Sequence, residues 1–168
     1  MRAIHFPSHR ICGKFLLVLA ASVLPVASTS QADDKELQRE LEALKGTWIA
    51  VSLTVQSGKI IPKEELDREQ VSWTLKGEGK GVFSAAGTDI DYTYSIDPSK
   101  SPKTIDLTIV GPAEELKGQK QFGIYKLEKG KLTLCLTGPD ATKEDRPKEF
   151  TVKDKTGALV EMERPTKK

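Results

Sequence analysis

The stretch ALKGTWIAVSLTV, Ala43–Val55, holds the change of period that decides the fold. Upstream of it, DDKELQRELEALK (Asp33–Lys45) places Leu37, Leu41 and Leu44 at i, i+4 and i+7 on a charged background, with acidic residues at its start. That is one apolar stripe on a helix whose first turn suits the helix dipole. Gly46 is positioned to stop it. Beyond Gly46 the period becomes 2: Ile49, Val51, Leu53 and Val55 alternate with Trp48, Ala50, Ser52 and Thr54. The spacing therefore predicts a helix over 33–45 that gives way directly to a strand.

The two-residue period persists to the end of the chain. Val71, Trp73 and Leu75 alternate with Ser72, Thr74 and Lys76, and Ile90, Tyr92, Tyr94 and Ile96 with Asp91, Thr93, Ser95 and Asp97. Ile105, Leu107 and Ile109, then Leu132, Leu134 and Leu136, repeat the pattern, and less regular runs fall at 81–85, 121–128, 148–153 and 158–163. Turn signals (QSGK, KGEGKG, AAGTD, DPSKSP, EKGK, DKTG) separate them, and only PKEELDRE, Pro62–Glu69, reads as a short helical insert. About nine closely spaced strands without crossover helices predict an all-β antiparallel meander, closed as a barrel or packed as a sandwich.

The N-terminus reads as an export signal over residues 1–32. Arg2, Arg10 and Lys14 form a basic front, FLLVLAASVLPVA (Phe15–Ala27) an apolar run, and STSQA a small-residue cleavage region ending at Ala32. The apolar run is shorter than the roughly 20 residues that span a bilayer, so no stable membrane anchor is expected. The expected location is periplasmic or extracellular. Removing the signal takes three of the 26 basic residues and none of the 24 acidic ones, leaving 23 against 24. A near-neutral mature chain carries no electrostatic footprint for nucleic acid. Both histidines, His5 and His9, lie in the signal, as does Cys12, so Cys135 is left as an unpaired cysteine. Stability then rests on core burial within one domain.

Gly46-Thr47-Trp48, following a short helix, resembles the start of lipocalins, in which the glycine allows a tight turn and the indole plugs the closed end of an up-and-down barrel. From Leu44 to Glu163 the order of landmarks is similar to a paralogous family of secreted, lipocalin-like proteins found mainly in planctomycete bacteria. The matching pieces are LKGTW (Leu44–Trp48), GKIIPKEEL (Gly58–Leu66), IDPSKSPKTIDLT (Ile96–Thr108), FGIYKLEKGKLTLCL (Phe122–Leu136) and RPKEF (Arg146–Phe150). That family has no established reaction, so the resemblance implies a fold and an export route only. The expected organisation is a signal over 1–32, a helix over 33–45 and a lipocalin-like barrel of about eight or nine strands over 46–164.

Composition constrains the chemistry. Without histidine in the mature chain, Ser-His and Cys-His nucleophile pairs are excluded, as are histidine-ligated metal sites. A lone cysteine builds no thiolate cage. The remaining catalytic option is carboxylate pairs, Asp89 with Asp91 or Glu64 with Glu65, which read more simply as solvated surface. No enzyme activity, cofactor or metal is expected. A small hydrophobic ligand inside the barrel is the leading functional reading, with Trp48, Trp73, Tyr92, Tyr94 and Tyr125 as candidate lining. The alternative is a filled barrel that serves as an interaction module in the cell envelope, with Leu37, Leu41 and Leu44 either docking a partner or packing on their own barrel. Asp97 is suited to bond its own turn between Pro98 and Pro102, and Gly123 to a bulge or close approach. Arg146 is read as a clamp on a neighbouring carboxylate or as a ligand contact, and Cys135 as a buried, inert thiol.

Overall fold

The computed structural model describes residues 29–112, 114–153 and 156–166, with side chains from Asp33 onward. The export-signal reading falls largely outside these residues. Helix α1 (Thr29–Leu44) leads into β1 (Gly46–Val55). There follow β2 (Ile60–Pro62), helix α2 (Lys63–Arg68), β3 (Ser72–Leu75), β4 (Lys80–Ala85), β5 (Thr88–Asp97), β6 (Lys103–Gly111), β7 (Lys120–Glu128), β8 (Lys131–Thr137) and β9 (Thr156–Glu163). Every strand pairs antiparallel with its neighbours, and β1 also pairs with β9, which closes the sheet. Strands β1 and β3 to β9 form an eight-stranded up-and-down barrel, the expected class, with β2 as an extra strand.

The extra strand arises from an interruption. Residues 60–62 pair with 52–54 of β1, whereas residues 72–75 of β3 pair with 46–49 of the same strand. Helix α2 is inserted between them, with Glu64 and Glu65 in its first turn and Leu66 buried. Two hairpins are held by two-residue turns, Ala86-Gly87 and Lys129-Gly130, in which both residues have positive φ. That geometry matches the right-handed twist of the flanking strands.

One expected strand is absent. Residues 148–153 form bends rather than a ladder, although the sequence predicts a strand there. The reason is topological: β8 already has β7 on one edge and β9 on the other, so a closed barrel offers this segment no backbone partners. It lies instead against the outer wall, where the Cys135 Sγ–H donates to the Thr151 carbonyl at 3.5 Å. This cover explains why Ile124 and Cys135, which point away from the barrel axis, are 1% and 0% exposed.

The simple alternation of β1 also breaks. Its ladder with β9 runs Ala50↔Met162 and then Ser52↔Glu161, leaving Val51 as a bulge residue. Such an extra residue shifts the phase of the pleat. Trp48 and Ala50 are buried before the bulge, and Leu53, paired with the buried Val160, packs on the core after it. Ile49 and Leu53, one face by simple alternation, thus lie on opposite sides of the wall.

Candidate functional site

The five aromatic residues singled out in the sequence all come from inward-facing positions, but they do not line one cavity. Trp48, Tyr125, Tyr92 and Tyr94 are 1%, 1%, 4% and 7% exposed, while Trp73 is half-buried. Exposure that low leaves no room for a water-sized sphere against most of the ring. The barrel interior is therefore divided. Its closed half is filled by Trp48, Leu75, Ile105, Leu132, Leu134 and Met162, each at most 1% exposed.

The closed end is built around Trp48. Its indole Nε1–H donates to the Leu44 carbonyl at 2.7 Å, which satisfies one of the free carbonyls at the end of α1. Arg164, just beyond β9, donates from Nη2 to the Ala43 carbonyl at 2.9 Å. Its guanidinium lies 3.9 Å from the centroid of the Trp48 ring, within cation–π range. Gly46 has φ +116°, and a Cβ there would collide with the Arg164 guanidinium. This is why glycine precedes Thr47-Trp48: the backbone and the arginine leave no volume for a side chain. Sequence reading missed Arg164, because a single arginine after a last strand carries no periodic signal. Leu41 and Leu44 of the α1 stripe pack on the same core, so the stripe caps its own barrel.

The tyrosines are strongly conditioned by burial. The Tyr94 hydroxyl donates to the Lys76 carbonyl at 3.0 Å. The buried Tyr92 hydroxyl meets no hydrogen-bond partner, and its ring lies over Gly81, where a Cβ would overlap it. Burial, and secondarily Tyr94, push the Tyr92 pKa far above the ordinary phenol value. Tyr125 is raised as well, by burial first and then by the Glu40 carboxylate of α1. The Tyr125 hydroxyl reaches no acceptor at hydrogen-bonding geometry, so Glu40 acts on it through its charge, and Glu40 itself pairs with Lys103 at 2.8 Å.

The open half differs in kind. Trp73 and Phe83 face each other across β3 and β4 with ring centroids 4.3 Å apart and planes tilted by 49°. Leu53, Ile61 and Ala85 pack beside them, all only half-buried. Among the described residues, the inward positions of the strands carry apolar residues, glycines, tyrosines, a few threonines and Gln121; the charged exception, Lys103, lies at the α1 end opposite Tyr125 and pairs with Glu40. Trp73 is thus the one candidate aromatic at the mouth; the other four belong to the packed half.

The remaining candidates are placed as follows. Arg146 donates from Nη1 to the Ile105 and Gly123 carbonyls at 3.1 and 2.7 Å, and from Nη2 to Asp106 Oδ1 at 2.5 Å. It is a clamp on the outer wall. Gly123 is a close approach rather than a bulge: a Cβ would meet Leu136 and the Cys135 carbonyl. Burial raises the Cys135 thiol to about 11. Asp97 accepts from the Ser99 N–H at 3.1 Å and its hydroxyl at 2.6 Å, and the Ser99 hydroxyl chiefly holds its pKa down. Asp89, exposed, accepts from the Ser84 hydroxyl. No cluster of three metal-ligating side chains occurs among the described residues, and none of their helices is long and apolar enough to cross a membrane. Compared with models of protein families, with curated proteins and with solved structures, the chain matches none.

Proposed function

We propose that the protein is an exported, lipocalin-like carrier of one small, neutral, largely apolar ligand, held in the open half of the barrel. Membership of the planctomycete family belongs to the same proposal. The observation that carries it is the half-exposed apolar wall of Trp73, Phe83, Leu53 and Ile61 above a filled floor. Apolar and aromatic side chains left half-exposed over a packed floor supply the kind of surface that small-molecule sites use. Neutrality follows from the open half, where the inward positions of β3 and β4 carry no charged side chain to partner a buried carboxylate or ammonium.

The test uses the two indoles separately. In a Trp48→Phe variant, Trp73 is the sole tryptophan. Titration with N-phenyl-1-naphthylamine, a neutral apolar fluorophore, is expected to quench Trp73 emission saturably with one site per chain. Phe83→Ala should weaken that binding several-fold. Absence of saturable quenching, with the variant folded by circular dichroism, contradicts the carrier reading and favours a filled barrel acting through its surface.

A further inference from the structure

A groove lies outside the barrel, independent of its interior. It encloses about 510 Å³ and runs along the outer wall of β5, β6 and β7 beneath residues 143–148. Arg146 sits in it with its side chain 15% exposed, against Asp106. The guanidinium has five N–H donors. Two on Nη1 serve the Ile105 and Gly123 carbonyls, and one on Nη2 serves Asp106. The Nε–H and the second Nη2–H are unspent among the described residues. Charge-assisted N–H donors of this kind make the stronger hydrogen bonds to carboxylates. The backbone carbonyls and Asp106 fix the guanidinium, so its remaining donors are held in place before any ligand arrives.

The surroundings define the charge and shape of the occupant. The groove is lined by Lys100, Lys143 and Lys148 besides Arg146, and by Asp97, Glu144 and Asp106. Asp106 is neutralised by Arg146, and Asp97 has Lys100 at 3.8 Å. Lys143 and Lys148 have no ion-pair partner among the described residues. The balance of four cations against three anions favours a monoanion. Pro102 and Pro147 add apolar wall.

We propose that this groove binds a small organic monocarboxylate, its carboxylate accepting from the unspent N–H groups of Arg146, its charge supported by Lys143 and Lys148, and its apolar body against Pro102 and Pro147. A bare inorganic anion gains nothing from that wall, and a dianion exceeds the available charge.

The test is a benzoate titration of the folded protein at constant ionic strength, followed on the side-chain Nε–H resonances of the arginines. Saturable movement of the Arg146 signal is expected, with inorganic phosphate at least fivefold weaker. Lys143→Ala/Lys148→Ala, which leaves the clamp intact, should weaken benzoate at least fivefold without changing the thermal midpoint. Equal movement with chloride, or no saturable movement, overturns the site. Phosphate binding as tight as benzoate overturns the monocarboxylate assignment, and unchanged affinity in the double variant overturns the lysine role.

Discussion

Gly46→Ala is expected to destabilise the protein by about 1–3 kcal/mol, because it forces a side chain into a disfavoured backbone conformation and pushes it into the Arg164 guanidinium. Thermal unfolding should show a drop of several degrees, and Gly46→Ala should cost less in an Arg164→Ala background than in the native chain, because the collision is gone. An equal cost in both backgrounds would mean backbone strain alone accounts for the loss. A second residue-scale expectation concerns Cys135. Its folded pKa, about 11, lies above the ordinary thiol value of 9.0, so the folded state prefers the protonated thiol. The corresponding stability is fully present below pH 9 and is lost as pH rises through about 11. The raised tyrosines act in the same direction at still higher pH. Urea midpoints measured from pH 7 to 11 should fall only above about 9, and the Cys135 thiol should resist alkylation at pH 8 until the chain unfolds.

At the scale of elements, the bulge at Val51 makes a prediction that simple alternation does not. Leu53→Asn should cost about 1–2 kcal/mol by replacing half-buried apolar surface that packs on the core with an amide. Ile49→Asn, on the outer side of the wall beside Ser72 and Ser84, should cost markedly less. Equal losses in urea unfolding would contradict the phase shift. The same element shows what the sequence reveals and what it hides. The helix over 33–45, the strand after Gly46 and the short helical insert are carried by local period and turn residues, and each is present within a few residues of its expected bounds. The bulge is invisible because Val51 fits either face by its chemistry. Residues 148–153 mislead for a related reason: Phe150 and Val152 are apolar at strand spacing, but strand formation needs a free edge, which is a property of the closed sheet and not of the segment. Strand β2 escapes for the opposite reason, since three residues around a proline carry too little alternation to register.

Across the whole molecule, the division of the interior governs the functional account. The landmark aromatics are legible in the sequence as inward-facing groups, yet their partition is not. Whether a ring is sealed or lies at a mouth depends on what stands across the barrel from it. Trp48 is sealed by α1 and Arg164, and Tyr125 lies against α1, whereas Trp73 faces only Phe83 and half-exposed aliphatic side chains. The filled half provides the stability that no disulfide supplies, and the open half leaves apolar surface whose burial by a ligand is favourable by about 25 cal/mol per Å². Native mass spectrometry of the protein recovered from its own host tests this most directly. A stoichiometric extra mass of a neutral small molecule, lost on denaturation and absent from a Trp73→Ala/Phe83→Ala variant, is the predicted result. A clean apo mass from freshly isolated, folded protein would contradict the carrier account.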